Sequence, residues 1–116
     1  MNTLIGYKKC STCKNIEKLL KEKNIPYEYR EIDKELLSAD ELKKIMKRAD
    51  IDVLKLFNTS GIKYRELGLK DKKNDMTEDE ILELLSTDGM LVKRPILLKD
   101  DKAFVGPQVK KYLESL

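Results

Sequence analysis

Tyr7-Lys8-Lys9-Cys10-Ser11-Thr12-Cys13-Lys14 is the stretch on which the fold of this chain turns. A short apolar run, Thr3-Leu4-Ile5-Gly6, comes before it, and a helical pattern with Ile16, Leu19 and Leu20 comes after. This reads as a strand, a loop and a helix start, with a Cys-x-x-Cys pair at the junction. A helix N-terminus presents free backbone N–H groups and the positive end of the helix dipole. Both favour a thiolate over a thiol, and the thiolate is the nucleophile. Lys8, Lys9 and Lys14 add positive charge nearby. Cys10, at the mouth of the loop, is therefore the expected attacking sulfur. Cys13, about one turn further along the helix, is placed to resolve a mixed disulfide.

Other uses of the pair are weaker. A structural disulfide belongs to secreted chains, and this one shows no secretory signal and reads as cytoplasmic. A zinc site needs four ligands, whereas the chain has two cysteines and no histidine. Two inert thiols at a helix start are the remaining alternative. Without histidine, Ser–His and Cys–His catalysis cannot be built from this chain's own side chains. Proton handling at Cys10 falls to Lys, Arg, carboxylates, hydroxyls or water.

The length of 116 residues fits a single domain, 1–116, with one core. No apolar run approaches membrane-spanning length. A formal net charge of +3 is too mild to argue for direct nucleic-acid binding. The many Lys and Glu read as solvated helix faces. The expectation is a monomer with no metal and no bound cofactor.

Along the chain, a helix from about Thr12 to Lys23 carries Ile16, Leu19 and Leu20 on one face, and Asn24 ends it in the left-handed conformation. Pro26 starts an extended piece, Tyr27 to Ile32, in which Tyr27 and Tyr29 share one face. That is βαβ with a helical crossover, hence a parallel pair. A helical insert at about 37–88 follows. Ser38-Ala39-Asp40-Glu41 and Thr77-Glu78-Asp79-Glu80 are capping boxes. The first opens a helix with Leu42, Ile45 and Met46 inward, the second a helix to about Ser86 with Ile81, Leu84 and Leu85 inward and Gly89 as its stop. Asp52 caps a short helix, and Gly68 stops another. Arg94-Pro95-Ile96-Leu97-Leu98 reads as a strand, Asp100-Asp101 as a turn, and Ala103-Phe104-Val105 as the return strand. Gly106-Pro107 opens a last helix with Val109, Tyr112 and Leu113 inward. Joined together, βαβ, helical insert and ββα give an α/β, thioredoxin-like fold with a four-stranded mixed sheet. Pro95, before the third strand, takes the place of the proline that is often cis in that fold.

The chain resembles the arsenate reductase/Spx family over its whole length. The residues that carry the resemblance are Cys10-Ser11-Thr12-Cys13, Phe57-Asn58-Thr59-Ser60-Gly61, Tyr64-Arg65-Glu66-Leu67-Gly68-Leu69 and Asp88-Gly89-Met90-Leu91-Val92-Lys93-Arg94-Pro95-Ile96. Within it, the chain looks most like the arsenate-reductase-like oxidoreductases and less like Spx proper, the transcription regulator. The resemblance implies that Cys10 is the nucleophile and that Arg94, before Pro95, binds an oxyanion. A planar guanidinium suits an oxyanion or a thiolate. Glutaredoxin-linked arsenate reductases carry further arginines where Asn58 and the Gly106 region stand, and a serine in place of Cys13. Many relatives have proline where Lys8 stands, and this extra positive charge should lower the Cys10 pKa.

The expected function is a cytosolic thiol–disulfide oxidoreductase. Cys10 and Cys13 do the chemistry, and Arg94, Pro95, Asn58, Ser11 and Thr12 contact the substrate. Glutathione, with glutaredoxin, or thioredoxin serves as external reductant and partner. The alternatives are an Spx-type redox-sensing regulator that binds the RNA polymerase α subunit, and an arsenate reductase.

Overall fold

The first strand, β1 (Asn2–Gly6), ends in three buried residues. With a side-chain period of two, Leu4 enters one apolar cluster and Ile5 the other. Those clusters lie on the two faces of a sheet. The computed structural model describes residues 2–116. The first crossover is α1 (Ser11–Glu22), which buries Cys13, Ile16 and Leu20 along one stripe. Asn24 leaves it with φ of 57°, the expected left-handed exit. The chain returns as β2 (Tyr27–Glu31), parallel to β1, with Leu4 opposite Tyr29 and Gly6 opposite Glu31.

Next comes α2 (Ala39–Ala49). Its capping box is formed, with Ser38 Oγ accepting from the Glu41 amide and Glu41 Oε1 accepting from the Ser38 amide, both at 3.1 Å. The Glu41 carboxylate also meets Arg30 Nη1 at 2.7 Å, which ties this helix end to β2. A 3₁₀ turn, Val53–Leu56, is capped by Asp52. Short helices α3 (Ile62–Glu66) and α4 (Leu69–Lys72) follow, then α5 (Glu78–Ser86) under the Thr77–Glu80 capping box. The chain closes with β3 (Ile96–Lys99), β4 (Lys102–Val105) and α6 (Pro107–Glu114).

Strand order is β2-β1-β3-β4, with β3 antiparallel to both neighbours. The sheet is therefore mixed and thioredoxin-like, as expected. On one face Leu4 and Leu97 pack with Ile16 and Leu20 of α1 and with Val109 and Leu113 of α6. On the other, Ile5, Ile96 and Val105 pack with α2, α5 and the insert's turns.

Several expectations need correction. In α5 the inward residues are Ile81, Leu82 and Leu85, while Leu84 is only partly buried. The insert approaches this helix from two sides, so its apolar arc is wider than a single stripe. Gly89 is not a stop but the first residue of a 3₁₀ turn, Gly89–Leu91, that extends the helical insert beyond residue 88. Gly68, at φ of 63°, ends one short helix but leads directly into α4, which propensity did not indicate. Arg94 and Pro95 precede β3 instead of starting it. Tyr112 is half-buried, stacked on Phe104 at 4.1 Å between ring centroids.

Candidate active site

Cys10 is the N-cap of α1, with extended backbone at φ −86° and ψ 118°. Its amide donates to Tyr7 O at 2.9 Å, and its carbonyl accepts from the Lys14 amide at 3.1 Å. The loop is thereby closed at both sides of the sulfur. A side chain at this position normally accepts a hydrogen bond from an amide of the first turn. Here Cys10 Sγ does so, from the Cys13 amide at 3.4 Å. Cys13 lies beneath, fully buried on the inward stripe of α1. Both are free thiols, and the two residues approach to 3.0 Å.

The two sulfurs are pushed in opposite directions. Partial burial works against ionising Cys10. The hydrogen bonds from the Cys13 thiol and amide outweigh it, helped by the charge and hydrogen bond of Arg94, and hold Cys10 below the usual thiol range. Burial first, then the hydrogen bond and negative charge of Cys10, push Cys13 up to about 12. One sulfur is prepared to attack and the other is held protonated.

Arg94 reaches the cysteines from the segment before β3. Its guanidinium stands 5.3 Å from the centroid of the Tyr7 ring, and Nη1 points at Met90 Sδ at 3.7 Å. Nε is buried with no hydrogen-bond partner among the described residues. The Arg94–Pro95 peptide bond is cis, and Pro95 is buried. Arg94 is the leading cation at Cys10. Lys8, expected to act there, holds its ammonium over the Tyr29 ring at 4.0 Å. Arg94→Ala should move the pH midpoint of Cys10 alkylation upward by about one pH unit, because the thiolate loses its nearest cation. Iodoacetamide kinetics across pH measure this. An unchanged midpoint would mean that the helix end and Cys13 hold the thiolate alone.

Ser11 and Thr12 form the exposed first turn of α1. Asn58 is buried and spends its amide locally. Nδ2 donates to Met90 O at 3.4 Å, and Oδ1 accepts from Ser60 Oγ at 3.3 Å. It shares with Arg94, Met90 and Lys63 the wall of a recess of about 270 Å³. A larger recess of about 700 Å³, lined by Leu54, Phe57, Lys93 and Pro107 among others, holds neither cysteine nor Arg94. The sulfur chemistry sits at a half-exposed position, which suits attack on a disulfide presented by another molecule. Sequence patterning did not single out Met90 or the Tyr29 hydroxyl as neighbours of the site. The available signal for Tyr29 was its face and register, two residues from Gly6 on paired parallel strands.

The ArsC family model matches residues 5–115. The chain is 45% identical over 104 residues to the uncharacterized protein YusI of Bacillus subtilis, covering 90% of this chain and 88% of that one. A solved ArsC-family-related protein from Bacteroides fragilis superposes with a TM-score of 0.90 at 39% identity, over 97% of this chain and 96% of the other. The global transcriptional regulator Spx of Staphylococcus epidermidis is 28% identical over 106 residues, 91% of this chain and 79% of its own.

Proposed function

The chain belongs to the ArsC family, and on that footing we propose that it is a dithiol–disulfide oxidoreductase in which Cys10 attacks and Cys13 resolves. The observation that carries the reading is the opposed pair of sulfurs: a half-exposed Cys10 held toward thiolate above a buried Cys13 held as a thiol. The Cys10 thiolate attacks one sulfur of a substrate disulfide, forming a mixed disulfide and expelling the other sulfur as a thiolate. Cys13 then loses its proton and attacks Cys10, releasing the second substrate thiolate and leaving Cys10–Cys13 oxidised. Two molecules of a small thiol such as glutathione, or one thioredoxin dithiol, return the pair to the reduced state. Arg94 steadies the Cys10 thiolate and offers its fork to an anionic group on the substrate. In this reading Ser11 and Thr12, in the exposed first turn of α1, and Pro95, before β3, complete the contacts to the substrate.

Arsenate reduction is the less supported chemistry. Arg94 is the guanidinium acting on Cys10, whereas the glutaredoxin-linked enzymes bring two more. The neutral Asn58 stands where one of them is expected, its amide already engaged. Each missing charged contact forgoes about 1.5–3 kcal/mol of oxyanion binding.

A coupled assay of NADPH consumption tests the reading, with thioredoxin or glutathione and glutaredoxin as electron donors and either a small disulfide or arsenate as acceptor. The expected result is turnover with the disulfide and little with arsenate. No turnover with either acceptor would sink it.

A regulator of the Spx type is the second reading, favoured by the similarity to Spx over nearly the whole chain. There the same cysteine pair is a redox switch, and the partner is the RNA polymerase α subunit. Pull-down of polymerase by the tagged protein separates the two, since an oxidoreductase retains none.

A further inference from the structure

We propose that the Tyr29 hydroxyl is the hydrogen-bond donor that receives Cys13 when its sulfur becomes a thiolate. This rests on the dithiol reading above and adds a positioning residue to it. Three independent features of the fold converge on this pair.

The first is an unpaired polar atom. Tyr29 Oη is buried and has no hydrogen-bond partner among the described residues. A buried hydroxyl left unpaired is costly, so such groups call for an explanation. The second is a space. Gly6, at the end of β1, has no side chain, and a Cβ built on it would stand 2.7 Å from Tyr29 Oη, 3.1 Å from Cys13 Sγ and 3.2 Å from Cys13 Cβ. Hydroxyl and sulfur therefore border the same small opening, with no side chain between them at that point. The third is a cation. Lys8 Nζ lies 4.0 Å from the centroid of the Tyr29 ring. A cation on the ring face is attracted to it and helps hold the phenol in place at the opening.

The unpaired hydroxyl follows from the redox state. In the dithiol form Cys13 keeps its proton and directs it to Cys10, so its sulfur carries no charge to attract a donor. Once Cys10 is joined to substrate, that arrangement ends. Cys13 S–H gives its proton to water, its sulfur bonds to Cys10 Sγ, and the Cys10–substrate S–S bond breaks. The leaving thiolate takes a proton from water. In reduction, a small thiolate attacks Cys10 Sγ, the Cys10–Cys13 bond breaks, and the electron pair comes to rest on Cys13. In both directions a negative sulfur must exist in a buried place. The groups that face Cys13 are Cys10, Arg94, the Tyr7 backbone and Tyr29. Those that face Tyr29 are Lys8, Glu17, Glu31 and the two cysteines. Burial and the negative groups around it push the Tyr29 phenol up, so it stays protonated and remains a donor.

The test is Tyr29→Phe, which keeps the ring, its packing and the Lys8 contact. Reaction with dithiobis(nitrobenzoate) releases one coloured thiolate when Cys10 attacks and a second when Cys13 closes the disulfide. The first phase should be unchanged and the second about tenfold slower, the loss of one hydrogen bond to a charged sulfur. Gly6→Ala, which fills the opening, should also slow the second phase selectively. A second phase in Tyr29→Phe as fast as in wild type would overturn the proposal. A separate measurement uses the Cys10→Ser background, where no disulfide can close. There Cys13 alkylation by a small reagent at one fixed pH should be about tenfold slower once Tyr29→Phe is added to Cys10→Ser, because less of the sulfur is thiolate. An equal rate would count against Tyr29 even if the wild type releases its second thiolate normally. Absence of the second phase in wild type would instead remove Cys13 as resolver, and the alkylation rate would still report on Tyr29.

Discussion

Cys10→Ser should lose roughly a thousandfold or more of the disulfide-dependent turnover, as expected for removal of a nucleophile. Cys13→Ser should behave differently. Its Cys10 still sits at the N-terminus of α1 beside Arg94, and the serine hydroxyl can donate to it in place of the Cys13 thiol, so the first attack proceeds. The product then has no internal resolver. Mixed disulfides with small thiols or partner proteins should accumulate and be visible as mass increments after diamide treatment. The two serine variants thus share an inactive steady state but differ in what they carry. If Cys13→Ser shows no adduct, or if Cys10→Ser retains turnover, the assignment of roles to the two sulfurs fails.

Gly89→Ala should be the most damaging of the glycine substitutions to stability. A Cβ there would stand 2.1 Å from the Ile32 carbonyl oxygen and 2.7 Å from its carbon. Neither can step aside. The Ile32 amide donates to Gly6 O at 2.9 Å, continuing the β1–β2 ladder, and the Ile32 side chain is fully buried. The turn that begins at Gly89 is equally constrained, since Leu91 O accepts from the Asn58 amide at 2.8 Å. The expected loss is about 3 kcal/mol or more, at the upper end of overpacking effects. Urea unfolding with an unchanged m-value measures it. Gly61→Ala is the milder case, because its Cβ would meet Asn58 Nδ2 at 2.8 Å, a side-chain atom that can shift by giving up its long hydrogen bond to Met90 O, and no backbone atom within 3.0 Å. That variant should lose less than about 1.5 kcal/mol. A Gly89→Ala protein within about 0.5 kcal/mol of wild type would show that this turn does not rest on β2 as described. Where it does fold, Cys10 alkylation should slow as well, because Met90 and Arg94 hang from the same segment.

The scaffold was legible in the order of residues alone. A short apolar run from Thr3 to Gly6, a helical pattern through Ile16, Leu19 and Leu20, and two capping boxes are local signals. Each depends on residues a few positions apart, and each is present as expected. The position of Cys10 at a helix N-terminus is local in the same sense, and it follows from a strand, a tight loop and a helix in immediate succession. That Arg94 acts on Cys10 and Lys8 does not was decided by the assembled fold, although Arg94 was already a candidate for the site. Lys8 is near in sequence but lies over Tyr29, while Arg94 is remote and is delivered by the pairing of β3 with β1. The fold likewise makes Asn58 brace the Met90 turn and brings the Tyr29 hydroxyl beside Cys13 across Gly6. Charge and hydrogen bonding act through space over a few ångströms. The residues that meet at that distance around the two sulfurs come from separate strands and loops, and the chain alone does not reveal their approach.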